Sequence, residues 1–422
     1  MSFPRYPKYK DSGVEWLGEV PEHWTVRRLK FLCDIQTGDK DTENAVEEGI
    51  YPFFVRSQTV ERINSSTFDC EAVLTAGDGV GVGKVFHYYN GPFDFHQRVY
   101  MLNRFRTVSG RFLFHFLREN FYKVALEGGA KSTVDSLRRP LFTNFPISYP
   151  PEEEQQSIVQ FAEREAAKID ELVAEQQRLM ELLKEKRQAV ISHAVTKGLN
   201  PRAPMKPSGI EWLGDVPEHW TIARLSYGAT VENSTTPSRD KAEYWFGGSI
   251  PWLSSGEVNQ YRINEASEFI TDRALAECSL RLLPKGTVVV GMIGQGKTRG
   301  LAATLEMEAA INQNLAGLVT RPNLKADYLL YIFQSVYEYL REYGRGGNQA
   351  ALNCEILSAL KVPMPPLVEQ SQICAHLEVR LSEFDALAAE AQKAIDLLQE
   401  RRTALISAAV TGQIDVRKLA AA

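Results

Sequence analysis

Ser12-Gly-Val-Glu-Trp-Leu-Gly-Glu-Val-Pro-Glu-His-Trp-Thr-Val-Arg-Arg-Leu29 returns 196 residues later as Ser208-Gly-Ile-Glu-Trp-Leu-Gly-Asp-Val-Pro-Glu-His-Trp-Thr-Ile-Ala-Arg-Leu225. Fourteen of the 18 positions are identical, and three of the four changes keep the side-chain chemistry. A second match lies at an offset of 215. Pro150-Pro-Glu-Glu-Glu-Gln-Gln-Ser-Ile158 pairs with Pro365-Pro-Leu-Val-Glu-Gln-Ser-Gln-Ile373, and Ala189-Val-Ile-Ser-His-Ala-Val-Thr196 pairs with Ala404-Leu-Ile-Ser-Ala-Ala-Val-Thr411. Matches of this quality mark a tandem duplication. Each half reads as opening motif, irregular domain, Pro-Pro boundary and long helix. The divisions that follow are a first domain over 1–151, a first helix over 152–197, a second domain over 198–366, a second helix over 367–412 and a tail over 413–422.

The helices carry the clearest periodicity. From Ala162 the apolar steps alternate four and three: Ala162, Ala166, Ile169, Val173, Gln176, Met180, Leu183, Arg187, Val190, Ala194. Adding 215 gives Leu377, Leu381, Phe384, Ala388, Ala391, Ile395, Leu398, Arg402, Leu405, Ala409. A seam stepping at 3.5 residues is a coiled-coil signature. Ile169, Val173, Met180, Leu183, Val190, Phe384, Ile395, Leu398 and Leu405 are the expected pairing residues. The prolines at 150–151 and 365–366 prevent an earlier helix start, and the glutamates just after them suit a helix N-terminus. Pairing of the two helices with each other is one reading; packing of each on its own domain is the other. Gln176, Arg187 and Arg402 either edge the seam with their stems packed or fix its register.

Between the borders the domains show short β-type runs (Tyr51 to Val55, Gly286 to Val290, Leu315 to Thr320) and helical stretches over Phe112 to Val124 and Asp327 to Glu342. The domains have diverged while their borders have not. That pattern fits one architecture carrying two specificities, in an α+β chain with an internal pseudo-two-fold repeat.

Composition excludes several classes. The 422 residues are 44% hydrophobic and 24% charged, a globular balance. Five scattered cysteines with no two-residue spacing argue against a disulfide scaffold or zinc finger. The first ten residues carry prolines and charges where a signal peptide needs an apolar core, and no run approaches a membrane span. A cytoplasmic protein is expected. Net charge is −5, yet residues 84–139 hold ten Lys+Arg against four Asp+Glu, while 152–197 and 367–411 are each −3. Local charge decides where a phosphate backbone docks.

Together, the repeated Trp-Leu-Gly-x-Val-Pro-x-His-Trp segment, the Pro-Pro-x-x-Glu-Gln boundary and the long helix resemble the DNA-specificity subunit of type I restriction-modification enzymes. The resemblance covers the whole chain, twice over and in order. It implies a non-catalytic DNA reader. Each target-recognition domain would read one half of a split, asymmetric site, and the helices would form an antiparallel intramolecular coiled coil that spaces the halves. It also implies two modification (methyltransferase) subunits docked on the helices and domains, with restriction (translocase/nuclease) subunits joining that core. No cofactor is expected in this chain; S-adenosylmethionine, ATP and Mg would belong to the partners. The chain carries no Asn/Asp-Pro-Pro-aromatic methylation motif and no helicase motif set.

One motif favours a different function. Gly291-Met-Ile-Gly-Gln-Gly296-Lys297-Thr298 matches a P-loop and follows a β-type run. A P-loop needs a helix N-terminus behind it, whereas Arg299-Gly300-Leu-Ala-Ala-Thr suits a hairpin. The counterpart Asp78-Gly-Val-Gly-Val-Gly83-Lys84-Val85 keeps Gly-x-Gly-Lys but loses the first glycine and the hydroxyl. The shared element reads as a glycine-rich turn that brings Lys84, or Lys297 with Arg299, to a phosphate backbone, or else as a solvated hairpin tip. A second pair of loops precedes the Pro-Pro boundaries. There Lys131, Ser132 and Arg138 in the first half, and Arg345, Asn348 and Gln349 in the second, are candidate DNA contacts. Arg239 and Lys241 beside Trp245 and Trp252 are further candidates. His23 and His219 read as packing residues of the repeated motif, and a coiled-coil scaffold is the purely structural alternative.

Overall fold

The computed structural model describes residues 3–125, 137, 139–294, 297–342 and 352–419. The chain divides into two compact units, Met1–Gln177 with Gln392–Ala422, and Arg178–Ala391. Each unit therefore combines one domain of the repeat with parts of both long helices.

In the first unit the elements run β1 (Tyr9–Asp11), β2 (Glu19–Pro21), β3 (Thr25–Arg28), β4 (Asp34–Thr37), β5 (Tyr51–Phe54), β6 (Glu61–Ile63), β7 (Phe68–Ala76), β8 (Phe86–Phe95), β9 (Val99–Asn103), α1 (Gly110–Asn120), α2 (Tyr122–Ala125), α3 (Arg139–Thr143), β10 (Pro146–Tyr149) and α4 (Glu152–Lys197). Six strands form one sheet in the order β4-β9-β7-β8-β5-β6, antiparallel except where β5 meets β8. Residues 72–76 of β7 are buried without alternation, because this central strand is covered on both faces. Ser109 caps α1 by accepting the Phe112 N–H, and Phe112, Leu113, Phe116 and Leu117 bury the helix's apolar stripe. The repeated opening motif and the Pro-Pro boundary meet in one ladder, β3 antiparallel to β10, so that the domain returns to its own entrance.

The second unit repeats this plan with β11 (Met205–Pro207), β12 (Asp215–Pro217), β13 (Thr221–Arg224), β14 (Ala229–Glu232), β15 (Ile250–Leu253), β16 (Arg262–Ile263), β17 (Glu268–Ile270), α5 (Asp272–Glu277), β18 (Val288–Gly291), β19 (Ala302–Leu305), β20 (Ala310–Ile311), β21 (Leu315–Thr320), α6 (Ala326–Ser335), α7 (Tyr337–Glu342), α8 (Cys354–Ala359), β22 (Lys361–Met364) and α9 (Leu367–Val410). Its strands split into a five-stranded sheet, β14-β21-β18-β19-β16, and a three-stranded one, β17-β15-β20. The two helical stretches expected from the sequence each break in two, at Phe121 and at Val336, positions that the 215 offset makes equivalent.

The seam residues lie where the periodicity puts them. Between residues 170 and 190, the only positions of α4 that are not exposed are Val173, Gln176, Met180, Leu183, Arg187 and Val190. Ile169, Phe384, Ile395 and Leu405 are buried, and Leu398 is half-buried. The helices pair with each other and run antiparallel. In the first unit Ala162, Ala166 and Ile169 line the early part of α4, and Leu405, Ile406 and Ala409 share a core with Ala162 and Ala166. There the Arg402 guanidinium donates to Asp170 at 2.9 Å. In the second unit Arg187 donates to Asp385 at 2.5 Å. Asp170 and Arg187 sit 215 residues before Asp385 and Arg402, so each bridge is the repeat copy of the other. The seam arginines thus pair with acids of the opposite helix, which selects one register.

Replacing Phe384 with Ala should destabilise the second unit by about 3 kcal/mol, since a buried phenylalanine leaves a cavity. Leu172→Ala, on the exposed face of α4, should cost less than about 0.5 kcal/mol. Urea unfolding followed by tryptophan fluorescence measures both, and equal losses would show that the seam does not carry the pairing.

Candidate nucleic-acid interface

The repeated borders turn out to be a lock between domain and long helix. Glu154, near the start of α4, lies 2.7 Å from His23 Nε2 and accepts from the Trp24 indole N–H at 3.0 Å and the Tyr6 hydroxyl at 2.7 Å. Burial and the bond to Glu154 push the Tyr6 hydroxyl well above its ordinary pKa. Glu369 repeats the contact with His219 at 2.8 Å. The next residue does more. Gln155 accepts the Ser109 N–H at 2.8 Å and donates to the carbonyls of Thr107 and Pro150, both at 2.9 Å. Gln370 does the same with Lys325 N–H (2.9 Å) and the carbonyls of Asn323 (3.1 Å) and Pro365 (2.9 Å). Ser109 and Lys325 are the N-caps of α1 and α6, so one buried amide ties each domain helix to the long helix. The sequence offered this signal, a Glu-Gln pair at the same place in both boundaries. Its assignment to the helix dipole missed the side-chain partners.

At the opposite border of each sheet lie the glycine-lysine turns. These turns join antiparallel strands, β7 to β8 and β18 to β19; after β7 comes only the single 3-10 turn Gly79–Gly81, and among the described residues no α-helix lies between β18 and β19. The P-loop match is therefore a hairpin. In the first unit, Gly77 donates to the Arg98 carbonyl at 2.8 Å and accepts the Leu137 N–H at 2.9 Å. In the second, Met292 donates to the Asn314 carbonyl at 2.8 Å and accepts the Leu352 N–H at 3.0 Å. Leu137 and Leu352, just before each boundary, are thus anchored to the glycine turn of their own half, at one pole of each unit. Lys131, Ser132, Arg138, Arg345, Asn348 and Gln349 lie outside the described residues.

Lys84 and Lys297 are exposed at this pole, with their carbonyls held by Gln58 Nε2 (3.1 Å) and the Tyr337 hydroxyl (2.7 Å). Arg299 departs from the expectation. It is buried and its guanidinium bonds the Arg341 carbonyl, so it braces the turn against α7 and offers no surface charge. Arg239 stays exposed but stacks 3.8 Å above Trp245 and donates to Glu268 at 2.5 and 2.9 Å. Lys241 donates to the Tyr244 hydroxyl at 3.1 Å, and Trp252 is buried against Trp245. These two cations are thus held by their own neighbours. Among the described residues no His, Cys, Asp or Glu group is arranged to hold a metal ion, and no helix is long and apolar enough to cross a membrane.

A family profile described as the type I restriction modification DNA specificity domain matches residues 21–179 and again 217–396. The chain belongs to that family. It carries the domain twice, in the two copies of the repeat. The specificity subunit of the type I restriction enzyme EcoDI from Escherichia coli is 24% identical over 416 residues, spanning 94% of this chain and 90% of that protein. The MjaIX specificity subunit of Methanocaldococcus jannaschii is 28% identical over 193 residues, covering 44% of this chain and only 43% of the relative. A solved structure from work on complex assembly and conformational transition of the type I R-M system superposes with a TM-score of 0.68 at 18% identity, covering 93% of this chain and 98% of that one. Its fold is the fold described above.

Gln155→Leu should leave the Ser109 N–H and two carbonyls without partners. At about 1–3 kcal/mol per orphaned group, not fully additive, a loss of roughly 3 kcal/mol is expected. Thermal unfolding of the variant checks this, and a shift under 2 °C would mean the lock is dispensable.

Proposed function

We propose that this chain is the sequence-reading subunit of a type I restriction-modification complex and is itself non-catalytic. In this reading the two domains bind the two halves of one bipartite, asymmetric site on double-stranded DNA. The paired helices α4 and α9 set the distance between the halves and dock two modification subunits, which restriction subunits then join. The observation that supports this most directly is the DNA specificity domain occurring twice on one repeated frame. The frame is kept by the Glu-Gln locks, while the glycine turns and the segments before the boundaries differ in sequence between halves.

Charge supports a division of labour with partners. Residues 1–151 hold 19 basic and 18 acidic side chains, and residues 198–366 hold 16 and 17. Phosphate neutralisation supplies much of the affinity for DNA, so a neutral reader binds weakly alone and depends on the complex to clamp the duplex. Nucleotide binding is disfavoured by the hairpin: a helix N-terminus that would cradle phosphates is missing behind Lys297. A bare scaffold would not require two diverged domains.

The ruler is testable through the seam. Asp170 faces Arg402 and Arg187 faces Asp385, and both pairs of numbers sum to 572, as do those of Met180 and Gln392. Inserting one heptad after each of these residues keeps the seam in phase and adds about 10 Å. Methylation mapping of the complex should then show a gap lengthened by about three base pairs, at 3.4 Å each, with both half-site sequences retained. An unchanged gap with altered half-site bases would overturn the spacing role.

A further inference from the structure

Both halves build the same backbone frame at the pole, and three hydrogen bonds make its positions correspond. Gly77 N–H to the Arg98 carbonyl matches Met292 N–H to Asn314. His96 N–H to the Phe54 carbonyl (2.9 Å) matches Asn312 N–H to Leu253 (3.0 Å). The Arg98 N–H on His96 Nδ1 (2.9 Å) matches the Asn314 N–H on Asn312 Oδ1 (3.0 Å). By this correspondence Arg56, Asp78 and Arg98 of the first half occupy the places of Ser255, Ile293 and Asn314 in the second. The frame is the same and the chemistry is exchanged, from three charges to none.

In the first half Arg56 and Asp78 line a cleft of about 410 Å³ beside the glycine turn, and Arg98 is tied to it through Asp78. Asp78 holds both guanidiniums, Arg56 at 2.9 Å and Arg98 at 3.2 Å, each through one Nη1. A Cβ at Gly81 would come within 2.5 Å of the Arg56 carbonyl, so the turn sits tight against the strand end that carries this arginine. An arginine has five N–H donors, so among the described residues most of each fork remains unspent. Asp78 side chain is 19% exposed and those of Arg56 and Arg98 40% and 57%. The carboxylate thus fixes the forks from beneath while leaving them open outward, which reduces the ordering cost of binding. In the second half Ile293 is exposed and Asn314 half-exposed at the same places.

We propose that these corresponding positions are the base-reading cluster of each half: Arg56 and Arg98, oriented by Asp78, read guanine in the major groove, and Asn314 with Ile293 reads an adenine–thymine pair. The chemistry follows from the base edges. An arginine fork matches guanine O6 and N7, an asparagine amide matches adenine N6 and N7, and an apolar side chain suits the thymine methyl group. This inference rests on the proposed DNA-reading function and names the residues that carry it. None of the residues belongs to the repeated borders.

The test is methylation mapping of the full chain with its modification subunits, wild type beside Arg98→Ala, Arg56→Ala and Asn314→Ala. All three side chains are at least partly exposed, and complex assembly is checked by co-purification. The wild-type map should show guanine in one half-site and an adenine–thymine pair in the other. Arg98→Ala or Arg56→Ala should relax selection for guanine by about tenfold in one half-site and leave the other unchanged. Asn314→Ala should relax adenine in the other half-site only. An unaltered motif in every variant, a half-site lacking guanine, or equal weakening of both halves would overturn the assignment. A wild-type complex that methylates no bipartite motif would instead sink the proposed function, and that is read before any variant is compared.

Discussion

An apolar seam that steps at 3.5 residues along two helices of 46 and 44 residues has to be covered, and here each helix covers the other. That pairing determines the chain's organisation. Because the helices run antiparallel, the end of one lies beside the beginning of the other. Each recognition domain is therefore packed on both, and the core of the first includes residues from the far end of the sequence. Ala409, Val410 and Val416 are buried in the core built around Trp24 and Phe112. Ile191, Ala194 and Val195 serve the same purpose around Trp220 and Tyr328. The first domain cannot be complete without the last helix.

The borders do a second job that their identity across the repeat reflects. A domain hung on a rod transmits position only if the joint is stiff. Each joint is made from a three-bond glutamine, a glutamate–histidine pair and a short antiparallel ladder, with β3 on β10 and β13 on β22. Buried amides, and carboxylates with fixed partners, tolerate few replacements, because each buried group left orphaned is costly. Loop residues at the distal pole carry no such constraint. Stiff joint and free tip are what a reader needs if its specificity is to change without loss of assembly.

Much of this was legible in the residues. Duplication, helix limits and seam follow from periodicity and the Pro-Pro stops, since both are local chemistry repeated in register. The arginines on the seam were ambiguous, because a guanidinium at such a position either snorkels or pairs; the acids that settle it, Asp170 and Asp385, lie off the seam on the opposite helix. The candidate contacts were harder. Lys84 and Lys297 were visible through their glycine neighbours, but the inward turn of Arg299 depends on α7 packing against the hairpin. Arg56, Asp78 and Arg98 are separated by about 20 residues each and share no motif, so only the strand pairing that joins β5, β7, β8 and β9 brings them together.

Two independent readers built on one repeated plan require each domain to carry its own half-site. The β3–β10 and β13–β22 ladders set the limits of the interchangeable part: residues 30–145 in the first half correspond to 226–360 in the second. The direct measurement is the methylated sequence produced by a complex in which 30–145 are exchanged for a second copy of 226–360, with both borders and both helices kept. Inverted copies of a single half-site, separated by the original gap, are expected. Retention of the wild-type asymmetric sequence would place recognition outside the two domains.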